Sequence, residues 1–338
     1  MRKDEINLSS PVAVWKSQEL CDGKVVPTLV VILRTCGCAW SRTSGCTMCG
    51  YDAESVSNVS EEDLDAQVAR ALSAHNSEPV VKIYTSGSFL DLREIPRPAE
   101  VFQRFLDKGA QRIVVESRPE YVETSLPLLE KSGRKVEVAM GLETASDKIR
   151  SLSINKGFTF GQYAIAAKGI KKAGARVRTY LLLKPPFLNE RDAIEDCSRS
   201  IDAAAKMSDV ISINPVNVQR GTLVERMWKR GEYRPPWLWS LLEALRRGHA
   251  AIPKDVMLVS DPSGGGTPRG VHNCGKCDGR VLEAVKRISL SQDAGALSIE
   301  SCACRQSWEA MLDVEPAAMT TIDLARHVRE GSPDAEDD

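Results

Sequence analysis

The chain has 338 residues, of which 42% are hydrophobic and 27% are charged, and its formal net charge is −1. This composition is typical of a globular protein with a sizeable core, and it excludes a largely disordered chain, a coiled coil and a collagen-like repeat. Because the net charge is close to zero, it identifies no partner, and a nucleic-acid site would have to be a local basic patch.

The N-terminal segment MRKDEINLSS has no apolar stretch after its charges, so no secretory signal is predicted. The longest apolar run, near residues 25–33, is interrupted by Pro27 and Thr28. It is far shorter than the ~20 residues that a membrane helix needs. We therefore expect a cytoplasmic protein whose thiols stay reduced.

Six apolar, β-branched runs predict strands that are buried on both faces, as in a parallel sheet. They are residues 27–35, 80–87, 112–117, 135–144, 175–184 and 210–216. Amphipathic helices are predicted at residues 61–75, 97–107, 119–131, 159–173, 189–206 and 236–247. The alternation predicts an α/β fold, a partial (β/α)6 TIM-like barrel over residues 1–260. An open Rossmann-type sheet is the alternative.

The sequence changes character after residue 260. The turn-rich segment DPSGGGTPRG, residues 261–270, predicts a flexible joint. We expect a small cysteine-rich metal-binding subdomain over residues 261–330, with helices near 280–287 and 305–313. Residues 331–338 are acidic and almost without apolar side chains, which predicts a disordered tail.

Eight of the ten cysteines fall into two groups, which in a reducing compartment favours metal binding over disulfides. The first group is Cys36, Cys38, Cys46 and Cys49, and the second is Cys274, Cys277, Cys302 and Cys304. Cys21 and Cys197 stand alone and are interpreted as small hydrophobic residues.

The first group lies in RTCGCAWSRTSGCTMCGY, residues 34–51, directly after the first predicted strand. Functional loops of parallel α/β folds gather at the carboxyl ends of strands. One interpretation is a zinc site with four thiolates. The other gives three thiolates to three irons of a [4Fe–4S] cluster and leaves the fourth iron open to a small ligand. The spacing alone does not decide between them.

A three-cysteine loop after the first strand of a six-unit βα chain resembles the radical S-adenosylmethionine (radical SAM) superfamily, over roughly residues 25–260. Seven motifs together resemble the radical SAM subunit of archaeosine synthase, whose core is like that of the Elongator catalytic subunit without its acetyltransferase domain. They are RTCGCAWSRTSGCTMCGY, YTSGSFLD, VESRPEYV, GLETASD, KGFT, YLLLKPPFLNE and HNCGKC. The resemblance implies a [4Fe–4S] cluster and S-adenosylmethionine (SAM) as cofactors.

The same resemblance implies how the cluster and SAM are held. It favours Cys38, Cys46 and Cys49 as the cluster ligands, with Cys36 in place of Cys38 as the alternative. Ser86-Gly87-Ser88 takes the place of a GGE-type motif that receives the methionine amino group. Because serines replace acidic or glycine residues there, we expect backbone carbonyls to do most of the binding, and an ordinary turn is the alternative. Met48 is expected against the adenine.

Further candidates lie at the remaining strand ends. Glu116 and Arg118 could pair with each other, or with ribose hydroxyls and the methionine carboxylate. Glu143 is a similar candidate, and Asn214 offers an amide to adenine or to a substrate base. Lys184 could meet a carboxylate or phosphate of the substrate, with a solvated lysine as the alternative. We predict catalytic roles for Glu116, Glu143 and Lys184.

The second cysteine group combines HNCGKC (272–277) with CAC (302–304). Four thiolates suit a tetrahedral structural zinc, at ~2.3 Å for each Zn–S bond, with no coordination position left open. A second iron–sulfur cluster, His272 in place of one thiolate, and unrelated free thiols are the alternatives.

Residues 168–184 and 220–249 are basic, and the second segment also carries three tryptophans and a tyrosine. Basic groups neutralise phosphates and aromatic rings stack on unpaired bases, so both segments are candidates for RNA contact. A solvated helix face and core tryptophans are the alternative.

The resemblance implies an enzyme that cleaves the lysine C–N bond of a lysine–7-deazaguanine adduct in tRNA, through a 5′-deoxyadenosyl radical, to leave the formamidine of archaeosine. The implied partners are tRNA, a separate lysine-transferring subunit and an electron donor such as ferredoxin. One alternative is a radical SAM enzyme that modifies another tRNA base, for example by methylthiolation. The other is a non-catalytic RNA-binding zinc protein.

Overall fold

The computed structural model describes residues 6–318. The acidic tail predicted at residues 331–338 lies outside the described residues, and the cysteine-rich part is described as far as residue 318. No helix within these bounds is both long enough and apolar enough to cross a membrane.

Eight strands form one sheet in which spatial order follows chain order. They are β1 (Ala13–Cys21), β2 (Lys24–Ile32), β3 (Val80–Tyr84), β4 (Arg112–Glu116), β5 (Val136–Glu143), β6 (Arg176–Leu183), β7 (Val210–Pro215) and β8 (Met257–Val259). Strands β2 to β8 are parallel, and β1 pairs antiparallel with β2. The sheet curls into a half-barrel, so the predicted partial barrel is confirmed. A Rossmann-type sheet would reverse its strand order, and this sheet does not.

Within residues 6–318, ten α-helices accompany the sheet, and eight of them begin and end within about five residues of predicted bounds. They are α1 (Glu61–Ala74), α2 (Pro98–Asp107), α3 (Val122–Ser132), α4 (Asp147–Ile149), α5 (Phe160–Lys172), α6 (Glu190–Ala205), α7 (Leu223–Lys229), α8 (Leu238–Ala251), α9 (Asp278–Ser291) and α10 (Cys304–Ala318). Ser60 and Asp63 form a reciprocal capping box at the start of α1. The short helices α4 and α7 were not predicted.

The outer face of the sheet and the helices share one apolar core that reaches into the cysteine-rich part. Val285 and Ile288 of α9 and Trp308 of α10 are buried in the same cluster as Leu29 of β2. Helix α9 packs against both edge strands, β1 and β8. At the β8 edge, the amide of Gln292 donates to and accepts from the backbone of Leu258, at 3.0 and 2.9 Å. The predicted boundary at residue 260 stays a prediction.

The inner face of the half-barrel is charged. Glu137 of β5 accepts from Arg176 at 3.0 Å and from Arg178 at 2.6 Å, and Lys82 of β3 lies 2.9 Å from Glu19 of β1. Alternate residues of a strand point to opposite faces, so the pleat of β6 turns its two arginines inward. The prediction of an RNA-binding surface along residues 168–184 is therefore wrong for these buried arginines.

Candidate functional site

The first cysteine group lies on the loop that follows β2, at the carboxyl end of the sheet, and all four of its thiols are half-buried. The segment after α4 holds this loop in place. Asn155 donates from its side chain to the carbonyl of Gly45 at 2.7 Å, and its own carbonyl accepts from the indole of Trp40 at 2.7 Å. The backbone N–H of Thr47 donates to Ile154 at 3.0 Å. The loop geometry is thus set by residues more than 100 positions away.

The buried carboxylate of Glu94 joins the cysteine loop to the predicted SAM-binding turn. It accepts from the hydroxyl of Thr35 at 2.8 Å and from the backbone N–H of Ser88 at 2.6 Å. A Cβ atom at Gly87 would clash with this carboxylate and would lie 2.7 Å from the backbone nitrogen of Cys38. Glycine is therefore required for the turn to lie against the loop. No sequence pattern pointed to Glu94.

The structure separates Cys36 from its neighbours. The Cys36 thiol donates to the carbonyl of Arg93 at 3.4 Å, whereas the backbone of Cys38 lies against Gly87. This arrangement favours Cys38 over Cys36 as the first cluster ligand, and the assignment stays a prediction.

The two interpretations of this loop make different demands on geometry. A single tetrahedral zinc needs four sulfurs that converge, and within residues 6–318 only the C-terminal cysteines bring at least three metal-binding atoms within 4.8 Å of one another. Thiolates on different irons of a cubane need not converge. Burial raises the pKa of the Cys46 thiol to about 11 and also raises the pKa of Cys49. These thiolates therefore need a bound cation, as cluster irons would provide.

Tyrosines and a carboxyl group line the inner face next to the loop. The carboxyl group of Glu116, at the end of β4, has a pKa raised to about 7 by burial, against the opposing effects of Lys156 and of a hydrogen bond with Tyr180. Tyr180 in turn hydrogen-bonds to Tyr84. Glu116 can therefore hold or release a proton near neutral pH.

Of the two alternatives for Glu116 and Arg118, pairing with each other is not observed. Arg118 makes an ion pair with Glu120 and donates to the carbonyl of Lys156 at 3.0 Å. Its guanidinium also lies 5.6 Å from the ring centroid of Trp40. Arg118 therefore links Trp40 of the cysteine loop to the segment at Lys156. Its contact with SAM stays a prediction.

Glu143 makes an ion pair that sequence reasoning missed. Its carboxylate lies 2.6 Å from the ammonium of Lys156. Burial lowers and Glu143 raises the pKa of Lys156, with a net rise. A Cβ atom at Gly141 would lie 2.7 Å from the Lys156 nitrogen, so a larger residue at this position would displace the ion pair. Glu143 itself has φ +65°, a strained conformation often found at functional sites.

Lys184 directly follows β6, has φ +61° and is 4% exposed, so the solvated alternative is wrong. Its ammonium lies 2.5 Å from Glu190, at the start of α6, so the protein itself supplies the carboxylate. The substrate role of Lys184 stays a prediction. Asn214 is half-buried and accepts from Ser212 at 3.0 Å. Met48 packs against a separate apolar cluster that lies beside the loop.

The second cysteine group has the geometry of a single-metal site. The sulfurs of Cys274 and Cys277 are 3.9 Å apart, those of Cys274 and Cys302 3.8 Å, and those of Cys277 and Cys304 3.6 Å. Metal–sulfur bonds of ~2.3 Å in a tetrahedron place the sulfurs about 3.8 Å apart. The free-thiol alternative is therefore not supported, and a cubane would separate the four thiolates further.

Side chains around this second group direct N–H donors at two of the cysteine sulfurs. Asn273 donates to the sulfur of Cys277, and the indole of Trp239 donates to the sulfur of Cys304, each at 3.3 Å. His272 is outside the group, with its ring nitrogen 2.8 Å from the carbonyl of Gly270. Four cysteines therefore complete the site without the histidine.

Comparison with known proteins adds relatives of nearly full length. The chain is 45% identical over 318 residues to archaeosine synthase subunit beta of Methanosarcina acetivorans, with 91% of each chain covered. It is 39% identical over 316 residues to the protein of the same name from Thermococcus kodakarensis, with 88% of this chain and 96% of that one covered. No protein-family model matches.

Among solved structures, an N-terminally truncated Elp3 from Methanocaldococcus infernus is similar in fold, with a TM-score of 0.50 and 18% identity. The match covers 77% of this chain and 63% of that chain. At this level of identity, the similarity supports the half-barrel architecture alone.

Proposed function

Because the chain belongs to the archaeosine synthase subunit beta family, we propose that it is a radical SAM enzyme that converts a modified base of tRNA to archaeosine. The observation that carries the proposal is the cysteine loop, which Glu94 fixes against the Ser86–Ser88 turn. This loop and turn lie at the carboxyl end of a parallel half-barrel, where an enzyme of this fold class has its site.

Cys38, Cys46 and Cys49 would hold the [4Fe–4S] cluster, and the Ser86–Ser88 turn would receive the methionine part of SAM. When bound, the cluster and SAM supply a 5′-deoxyadenosyl radical. The protein's own contribution is positioning: Glu94 fixes the start of the cysteine loop and Asn155 fixes its middle. The apolar cluster beside Met48 would exclude water from a bound adenine.

The proposed substrate is the lysine–7-deazaguanine adduct in tRNA, and the proposed site of hydrogen removal is the ε-carbon of its lysine. A carbon bonded to nitrogen gives a stabilised radical. Loss of one electron from this radical to a one-electron acceptor gives an iminium, and water hydrolyses the iminium to a lysine-derived aldehyde, so that the nitrogen stays on the base as a formamidine. The lysine end carries a carboxylate and an amine. The Glu143–Lys156 pair offers complementary charges, and Glu116 can exchange a proton near neutral pH.

The C-terminal cysteines are proposed to hold a structural zinc. Helix α10 begins at Cys304, and Trp308 on this helix donates to Ser240 of α8 at 2.8 Å. Metal binding would therefore anchor α10 against the barrel helices. The proposed partners are tRNA, a separate subunit that attaches the lysine, and an electron donor such as ferredoxin.

An isotope experiment tests the proposed reaction. Reduced enzyme is incubated with SAM and with tRNA whose lysine adduct carries deuterium at the ε-carbon. We expect deuterium in 5′-deoxyadenosine and formamidine on the base. Turnover of the adduct without deuterium transfer would exclude the ε-carbon. Active SAM cleavage with no turnover of the adduct would instead point to another tRNA base as substrate.

A further inference from the structure

The turn before α7 and the helix itself carry three arginines that have no partner. Arg220, Arg226 and Arg230 are exposed, and within residues 6–318 their side chains make no hydrogen bond, ion pair or ring contact. We refer to these three residues as the α7 arginine patch. Nearby basic groups differ, since Arg269 lies 2.7 Å and Lys229 3.5 Å from the carboxylate of Glu225.

The α7 arginine patch adjoins the cysteine loop. Gln219 accepts from the backbone N–H of Gly50 at 2.5 Å, and the backbone N–H of Val224 donates to the carbonyl of Thr47 at 3.3 Å. Thr47 lies between Cys46 and Cys49, and Gly50 follows Cys49 directly. A Cβ atom at Gly50 would lie 2.8 Å from the carbonyl of Arg220. Arg220 therefore lies directly beside the cysteine loop, and Arg226 and Arg230 follow on α7 and at its C-cap.

Other arginines of the same basic segment are neutralised. Arg246 and Arg247 of α8 pair with Glu243 at 2.7 and 2.6 Å. Arg220, Arg226 and Arg230 instead leave three positive charges without a carboxylate partner among the described residues on one short segment, and such charges attract an anionic ligand. Arg226 and Arg230 are four residues apart and share one helix face, with a rise of about 6 Å between them. This spacing is close to that of successive phosphates on one nucleic-acid strand.

We propose that the α7 arginine patch binds phosphates of the tRNA backbone and so docks the RNA over the cysteine loop. The inference rests on the proposed function, because that function makes tRNA the substrate. RNA is favoured over an acidic protein by the phosphate-like spacing of Arg226 and Arg230 and by the position of Arg220 beside the cysteine loop. Phosphate contacts orient an RNA without reading its sequence.

The test compares two triple variants of the full chain. The first replaces Arg220, Arg226 and Arg230 with alanine. The control replaces three exposed arginines on other elements: Arg134, Arg199 and Arg287. Binding of unmodified tRNA is measured by fluorescence anisotropy over a series of salt concentrations, and circular dichroism and iron content check that both variants fold.

The observed binding constant falls as salt rises, and each lost phosphate contact makes the slope of log K against log salt shallower by ~0.7–0.9. The slope of the patch variant should therefore be shallower than that of the wild type by about 2–3. Its affinity for tRNA should fall at least ~10-fold at moderate salt, whereas the control triple should bind like the wild type. Equal slopes and affinities in the two triples would overturn the proposal.

Two further outcomes separate this inference from the proposed function. If the patch variant keeps its tRNA affinity but loses reduction by an acidic electron-transfer protein, the patch docks that protein and the RNA proposal is wrong. If the wild type binds tRNA but never turns over the lysine adduct, the proposed function fails, while the binding comparison still decides the role of the patch.

Discussion

The two cysteine groups of this protein are organised in opposite ways. The C-terminal sulfurs converge to 3.6–3.9 Å from one another, and the helix α10 begins at one of them. The N-terminal group does not converge on one point, and its loop is fixed from outside by Glu94 and Asn155. A closed set of ligands suits a structural metal, whereas ligands spread over an externally braced loop suit a cluster with an open position.

The side chains that surround the two cysteine groups also differ. Around the N-terminal loop lie groups that can carry charge or protons, namely the Glu143–Lys156 pair and Glu116. Around the C-terminal sulfurs lie N–H donors from Asn273 and Trp239, and Trp308 packs nearby in the apolar core. We therefore propose that the first group takes part in catalysis and that the second stabilises the fold. Four predictions test this difference.

The largest effect on activity is expected when a cluster-ligand cysteine of the N-terminal loop is replaced. Cys46→Ala should abolish SAM cleavage and the absorbance of the cluster, because the lost thiolate removes one of three iron ligands. Cys36→Ala in the same loop is the matched control and should retain both. If Cys36→Ala loses the cluster while Cys38→Ala keeps it, the assignment of Cys36 and Cys38 must be exchanged.

Removal of the C-terminal metal should unfold part of the protein rather than block chemistry directly. Cys277→Ser should lose one equivalent of zinc and lower the thermal midpoint by several degrees, because a structural metal contributes its binding free energy to folding. Tryptophan fluorescence should also change, since the indole of Trp239 donates to the sulfur of Cys304. Cys21→Ser, outside both groups, is the control for metal content. An unchanged zinc content in Cys277→Ser would contradict the closed site.

Glu94→Ala should remove the hydrogen bonds that connect the cysteine loop to the predicted SAM-binding turn. Two hydrogen bonds to a buried carboxyl group are lost, while the burial that raises the pKa of Glu94 offsets part of their contribution, so unfolding should become about 1.5–3 kcal/mol easier. SAM affinity should fall more than cluster content, because Ser88 loses its anchor. The exposed Glu62→Ala is the control. Unchanged SAM binding would show that Glu94 is dispensable for the site.

The smallest effect is a pH dependence of stability. The pKa of Glu116 is raised in the folded state from 4.5 to about 7, so its protonated form is favoured by folding. Its contribution, at most about 3 kcal/mol, is fully present below pH 4.5 and is lost as the pH rises through about 7. Glu116→Gln should flatten the unfolding free energy over this window, and Glu123→Gln should keep the wild-type slope. If the unfolding free energies of Glu116→Gln and the wild type change equally with pH, the pKa of Glu116 is not raised by folding.

The sequence predicted the strands that are continuous apolar runs, and it missed the others for physical reasons. Strand β1 carries charged and polar residues because its outer side is exposed and its inner side faces the polar barrel interior. Strand β8 has only three residues, too few for a pattern. The basic segment at residues 168–184 was misassigned in part, because the pleat of β6 turns Arg176 and Arg178 inward to Glu137.

Cysteine spacing predicted the C-terminal group, which the structure brings together as a possible metal site, because its cysteines form two pairs that are close in sequence. Cluster binding by the N-terminal group stays a prediction. Glu94 and Lys156 could not be predicted, because tertiary packing alone brings them to the loop and to Glu143. The same holds for the pairing of Lys184 with Glu190, which formed in place of a solvated lysine.

Metal analysis of the anaerobically reconstituted full chain tests the contrast between the two cysteine groups most directly. The account predicts about four irons, four sulfides and one zinc per chain. It also predicts an electron paramagnetic resonance signal of the reduced cluster that changes when SAM is added. Two zincs without iron would contradict the assignment of chemistry to the N-terminal loop, and about eight irons without zinc would contradict the closed C-terminal site.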